Sequence, residues 1–102
     1  MKKVALVTGG SQGIGKAICY QLAADGYHVI VHYNTSYEAA KLIADDINGT
    51  AIQCDLSNMN NVPTFLEDIQ NLFPSLDCLV HNAGIADLDS LENITEDIFD
   101  RH

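Results

Sequence analysis

Apolar residues in this chain switch repeatedly between two spacings. Val4-Ala5-Leu6-Val7 is an unbroken apolar run between Lys2-Lys3 and Thr8-Gly9. Runs of this kind mark strands buried on both faces. Ile14, Ala17, Ile18 and Leu22 then recur at helical spacing, and Gly26 supplies a stop. Val29-Ile30-Val31 predicts a second strand, and Ala39, Ala40, Ile43 and Ile47 a second amphipathic helix stopped near Gly49. Ala51-Ile52-Gln53-Cys54 reads as a third strand. Val62, Phe65, Leu66, Ile69 and Phe73 mark a third helix, with Pro63 tolerated in its first turn. Cys78-Leu79-Val80-His81 is a fourth strand. A last helix is expected to start after Thr95 as its N-cap, because Ile98 and Phe99 follow.

Strands alternating with helices in this way predict an α/β fold: a parallel sheet of about four strands, right-handed crossovers, and helices on both faces. No linker, repeat or low-complexity stretch interrupts it, and 102 residues suffice for one small domain. The last expected helix has barely begun at Arg101-His102. Since a domain seldom ends in mid-helix, the expectation is a truncated domain.

Composition narrows the partners. Hydrophobic residues make up 47% and charged residues 19%, a globular balance. Lys plus Arg number 5 against 14 Asp plus Glu, for a net charge of -9. So acidic a chain lacks the positive field needed for nucleic acid or an anionic membrane. Any phosphate must be held by backbone N–H groups and hydroxyls. Cys19, Cys54 and Cys78 are scattered, no C-x-x-C pair exists, and the histidines do not cluster. Free thiols in a reducing, cytoplasmic setting are expected, with no disulfide framework and no metal site. The apolar run behind Met1-Lys2-Lys3 is too short for a signal sequence, and no run approaches a membrane span.

The chemistry-bearing segment is Thr8-Gly9-Gly10-Ser11-Gln12-Gly13-Ile14-Gly15. Placed between a first buried strand and a first helix, such glycines let the backbone turn tightly and approach a pyrophosphate. The helix that follows aims free N–H groups and its positive dipole end at the anion. Taken alone, the loop also reads as an ordinary glycine-rich turn. A Walker A loop is excluded, since no Gly-Lys-Ser/Thr follows.

Gly9, Gly13 and Gly15 form G-x-x-x-G-x-G, and Thr8 through Gly15 matches Thr-Gly-x-x-x-Gly-Ile-Gly in full. That pattern resembles the short-chain dehydrogenase/reductase family. Asp55-Leu56 follows the third strand, where the family's Asp meets the adenine ring, and Asn82-Ala83-Gly84 is similar to its Asn-Asn-Ala-Gly, with His81 in place of the first Asn. The resemblance covers Lys3 to His102 and, within the family, is to reductases of 3-oxoacyl thioesters. It implies a partial Rossmann fold with strand order 3-2-1-4, residues 1–102 being the N-terminal part of a single NAD(P)-binding domain. It also implies a pyrophosphate over Gly9 to Gly15, with Ser11, Gln12, Gly13 and Ile14 at the contact. Adenine would lie by Asp55 and Leu56, and the remaining cofactor by Asn82, Ala83 and Gly84. Whole relatives form homo-oligomers, dimers or tetramers.

The second strand would end beside the adenosine ribose, at Tyr33, Asn34 and Thr35. NAD enzymes usually place an acid there. None is present, which leans toward NADP; yet no Arg or Lys is present either, so NAD stays open. The family's Ser and its Tyr-x-x-x-Lys pair lie beyond this chain's last residue, so no catalytic residue is assigned and no turnover is expected of these 102 residues alone. Tyr37-Glu-Ala-Ala-Lys41 fits the spacing by accident, on the second helix. The competing readings are a non-catalytic dinucleotide-binding module and an unrelated doubly wound domain. Asp55 and Asn82-Ala83-Gly84 argue against the latter.

Overall fold

The structure, a computed structural model, describes residues 2–82 and 88–99. Its strands are β1 (Val4–Val7), β2 (His28–Tyr33), β3 (Thr50–Gln53) and β4 (Cys78–Val80); its helices are α1 (Gly13–Ala24), α2 (Tyr37–Ile47), α3 (Val62–Leu72) and α4 (Leu88–Phe99). The strands form one sheet in the order β3-β2-β1-β4, every pairing parallel. This is the α/β Rossmann-type topology expected from the alternating periods.

Strand alternation builds two cores. Val4, Leu6 and Ile30 point to one face, where Phe65, Leu66 and Ile69 of α3 and Leu91 and Phe99 of α4 cover them. Val7, Val29 and Val31 point to the other, against Cys19 of α1 and Ala40, Ile43 and Ala44 of α2. Both faces are covered, so β1 carries no polar residue. Each fully buried Leu, Ile or Val contributes ~1.5–3 kcal/mol relative to exposure.

The helix stops follow the expected chemistry. Gly26 takes a φ of 97° and its N–H donates to the Ala23 carbonyl. At the end of α2, Asn48 takes the left-handed conformation (φ 60°), and the Gly49 N–H donates to the Ala44 carbonyl at 2.8 Å. Gly49 is there for space, since a Cβ would collide with the Val29 carbonyl oxygen.

The last helix differs from the sequence expectation. It begins at Leu88, so Thr95 lies inside it and is no N-cap. The Thr95 hydroxyl, 2% exposed, donates to the Leu91 carbonyl at 2.7 Å. The reason is periodicity. Leu91, Ile94, Ile98 and Phe99 share one buried stripe packed on the α3 side, and that stripe outweighs the local preference of threonine for a cap. Smaller shifts occur elsewhere: Phe73 follows α3 as its C-cap, and β2 extends at both ends to include His28, His32 and Tyr33.

Candidate dinucleotide-binding site

Parallel pairing brings the C-terminal ends of the strands to one edge of the sheet, with Val7 level with both Val31 and Val80, and Tyr33 level with Gln53. In open α/β sheets this edge is where ligands sit. Thr8 leaves β1 with its N–H donating to the Val80 carbonyl at 3.0 Å and its hydroxyl to the same oxygen at 3.2 Å; the Thr8 hydroxyl oxygen accepts from the Asn82 N–H at 3.0 Å. The Asn82 side-chain amide then donates to the Gly9 carbonyl at 3.0 Å. From the other side, the Gly9 N–H donates to His32 Nδ1 at 2.8 Å, and the Gly10 N–H to the His32 carbonyl at 3.0 Å. The Cys19 thiol donates to the Gly10 carbonyl, with Sγ at 3.7 Å. The glycine loop is thus fastened to strands on both flanks of β1.

Two glycines here meet requirements that no other residue meets well. Gly9 has a φ of 64°, in the left-handed region. Gly15 is buried, and a Cβ there would collide with the Gly9 carbonyl oxygen and come within 2.5 Å of Asn82 Nδ2. Gly15 therefore lets α1 dock onto the loop and Asn82. Gly13, at φ 55°, has nothing near its Cβ position and faces open space.

The Lys16 N–H is the first in α1 to find an intrahelical-type acceptor, the Gln12 carbonyl at 3.2 Å. The N–H groups of Gly13, Ile14 and Gly15 have no acceptor among the described residues. Ile14 leaves 74% of its surface exposed at the same spot. Free donors, open space above Gly13 and an exposed apolar side chain together suit a ligand with an anionic bridge and flat rings.

His32 is 3% exposed and bonded at both ring nitrogens. Nδ1 must accept, since the Gly9 N–H is a donor; Nε2 therefore carries the proton and donates to the Cys54 carbonyl at 2.7 Å. Burial lowers its pKa below the usual 6.5, and the bond to Cys54 only partly offsets that. The Phe65 ring packs against it in a tilted, edge-type arrangement, with centroids 5.6 Å apart and an interplanar angle of 65°.

The remaining predicted positions gather around this edge. Tyr33 packs on Tyr37 at 5.8 Å between centroids. Gln12 Nε2 donates to the Ser36 hydroxyl at 3.3 Å, bridging the loop to the start of α2. Gln53 Nε2 donates to the Asn34 backbone carbonyl at 3.2 Å and lies 3.4 Å from Asn34 Oδ1. Thr35 is exposed and accepts from the Tyr37 N–H. Ser11 sits half-buried in the loop. Asp55 Oδ1 accepts from the Ser57 N–H and hydroxyl at 3.0 and 2.6 Å, and these bonds hold its carboxyl below the usual range. Asp55 also lines an open cavity of ≈ 350 Å³ with Gln53, Cys54, Asn60, Thr64 and Phe65.

Leu56, by contrast, turns its side chain into the core at 4% exposure, leaving only its backbone for a ligand. Ala83 and Gly84 lie outside the described residues. Lys41 pairs with Asp45 at 3.0 Å on the exposed face of α2, with no bond to the glycine loop. The residues the sequence did not single out are His32 and Cys19. The available signal for His32 was a polar ring directly after the apolar run Val29-Ile30-Val31; Cys19 carried none. Cys19 and Cys54 are buried free thiols pushed up to about 11 by burial, and Cys78 is free and half-buried, as expected. Among the described residues no group of His, Cys, Asp or Glu is placed to hold a metal, and no helix is long and apolar enough to cross a membrane.

A four-stranded parallel sheet in the order 3-2-1-4, with a glycine loop pinned between β1 and α1, defines a Rossmann-type domain. Comparison with known proteins makes this specific. The family model for short chain dehydrogenase matches residues 3–102, and the chain belongs to that family of oxidoreductases. Membership implies a nicotinamide dinucleotide cofactor. The 3-oxoacyl-[acyl-carrier-protein] reductase FabG of Staphylococcus aureus is 42% identical over 90 residues, covering 83% of this chain and 37% of the enzyme. Elsinochrome reductase 1 of Elsinoe fawcettii is 39% identical over 104 residues, covering 97% of this chain and 39% of that protein. Among solved structures, acetoin dehydrogenase from Enterobacter cloacae superposes with a TM-score of 0.76 at 32% identity, covering 82% of this chain and 35% of that one. The chain thus spans 37% and 39% of the length of these two reductases.

Proposed function

We propose that this chain forms the NADP(H)-binding part of a short-chain oxidoreductase that interconverts a carbonyl, of the 3-oxoacyl-thioester class, and its alcohol. The observation that carries the reading is the pinned glycine loop, with N–H groups at Gly13, Ile14 and Gly15 that find no acceptor among the described residues and open space at the Cβ position of Gly13. The pyrophosphate rests on those donors and on the dipole end of α1. Gly9 acts by shape, since its N–H is taken by His32. Ser11 and Gln12 border the phosphates. Asp55 keeps Oδ2 free of partners among the described residues and faces the cavity that receives adenine, with the Leu56 backbone beside it. Asn82 holds the loop on the nicotinamide side, followed by Ala83 and Gly84.

Tyr33, Asn34 and Thr35 place no carboxylate at the end of β2, which favours a ribose bearing a 2′-phosphate. The bound nicotinamide supplies or accepts the hydride. The substrate class rests on the likeness to the FabG reductase, whose name states its substrate. Fluorescence titration with NADPH and NADH tests the cofactor: saturable binding, tighter for NADPH, is expected. Tighter binding of NADH would reverse the preference, and binding of neither would end the reading.

A further inference from the structure

We propose that His32 is the positioning residue of the glycine loop: its neutral imidazole, accepting from the Gly9 N–H, sets the geometry that grips the dinucleotide, and proton uptake by the ring releases that grip. The inference rests on the dinucleotide reading above and adds a residue and a condition to it. Only one tautomer satisfies both neighbours, because Gly9 offers a donor at 2.8 Å from Nδ1 and Cys54 an acceptor at 2.7 Å from Nε2. A protonated imidazole has two donors and no acceptor. Nδ1–H would then point at the Gly9 N–H, donor against donor. The ring has little room to turn, being buried on β2, packed by Phe65 and still bonded to Cys54. The Gly10 N–H stays on the His32 carbonyl, so the displacement concentrates at Gly9. Its carbonyl is the acceptor for Asn82, and Gly15 packs directly on that same oxygen. Moving Gly9 therefore disturbs the seat of the first turn of α1, where the phosphate donors lie.

The charged surroundings are sparse. β1 and the loop from Thr8 to Gln12 carry no titratable side chain. On β2, Tyr33 is next to His32 in sequence. The segment leaving β3 brings the Cys54 thiol, neutral with a pKa of about 11, and the Asp55 carboxylate; α3 brings Asp68, which lines the same cavity as Phe65. The bond to the Cys54 carbonyl favours a proton on His32, while burial disfavours it and prevails.

Three proteins test this: the wild-type chain, His32→Asn and His32→Leu, each titrated with NADPH by fluorescence from pH 8 to pH 5. The Asn oxygen is one bond from Cγ, as Nδ1 is, so Asn restores an acceptor for Gly9 that does not titrate. Leu restores none. At pH 8, His32→Leu is expected to bind roughly tenfold more weakly than wild type, and Asn to recover most of that loss. As pH falls through the ring's lowered midpoint, the wild-type affinity falls relative to His32→Asn, by up to about tenfold per pH unit. The ligand's own titration cancels in that ratio. Parallel pH profiles for wild type and His32→Asn, with both binding, overturn the role of His32 and leave the dinucleotide reading standing. No binding by wild type at any pH overturns both. Ring ¹⁵N shifts give a readout independent of variant folding: a proton on Nδ1 at pH 8 refutes the proposal, and one on Nε2 supports it.

Discussion

Replacing Gly15 by alanine probes the site through a single methyl group. In α1 the change brings a helix-propensity gain of about 1 kcal/mol. Against it stands geometry: the new Cβ would collide with the Gly9 carbonyl oxygen, lie 2.5 Å from Asn82 Nδ2 and 3.1 Å from Gly10 Cα. None of these is the free end of a flexible side chain. Two are backbone, and the third is an amide held at 3.0 Å from the Gly9 carbonyl. Relief requires α1 to lift off the loop or Asn82 to abandon its bond. Overpacking of this kind costs about 1–3 kcal/mol, and the lost hydrogen bond about 1 kcal/mol more. After the propensity gain, the net loss is about 1–3 kcal/mol, or roughly 4–8 °C in melting temperature per kcal/mol for a domain of this size. Dinucleotide affinity should fall by at least about tenfold, since a shift of 1.4 kcal/mol in the seat of the donors suffices. Thermal melting and calorimetry with NADPH on the same samples read both effects. Gly13→Ala serves as the comparison: its Cβ meets nothing, so only the left-handed φ of 55° opposes it, at a cost of about 1 kcal/mol. A Gly15→Ala protein with wild-type melting and affinity would refute the close-packing argument.

His28 and His32 both have pKa values lowered from 6.5, chiefly by burial. The unfolded chain therefore takes up these protons first. Stability is full above about pH 6.5 and declines as pH falls through the window below it, down to the lowered folded-state values; urea midpoints at pH 8 and pH 5 should show it, with the lower midpoint at pH 5. Thr95→Asp distinguishes an interior position from a cap: a cap tolerates Asp, whereas at this buried site the carboxylate should cost about 2 kcal/mol or more, read by urea unfolding. Cys78 should react with iodoacetamide at pH 8 before Cys19 and Cys54, whose thiols are buried and pushed up to about 11; peptide mapping of partly labelled protein checks the order.

The topology was legible because both sheet faces are covered: strands such as Val4-Ala5-Leu6-Val7 then carry no alternation to confuse with a helix. The fold was legible where glycine spacing is fixed, as in Thr8 to Gly15 between β1 and α1; the roles of Asp55 and Asn82, which follow β3 and β4, are those of the proposed function. The sequence was less legible where tertiary contacts decide. Thr95 looked like a cap because threonine favours caps, but Leu91 and Ile94 extend the apolar stripe by more than a turn upstream. Leu56 sits in the motif, yet its apolar side chain belongs to the core. His32 belongs to a strand whose apolar stretch ended, by pattern, at Val31; that its ring reaches the loop from β1 depends on the register Val7 to Val31, which no local signal reports.

The fastenings of the glycine loop have an uneven reach along the chain. His32 lies 23 residues from Gly9, while Asn82 lies 73 residues away. The loop precedes both anchors in the chain, and it remains half-fastened until nearly the whole described sequence has followed. Closing the longer of these two connections is slow compared with forming α1 or pairing β1 with β2. A nascent chain that has reached β3 already possesses the histidine anchor but not the asparagine one. On the proposed dinucleotide reading, the ligand stabilises species that already hold both anchors, and so seals a fastened loop instead of templating an open one.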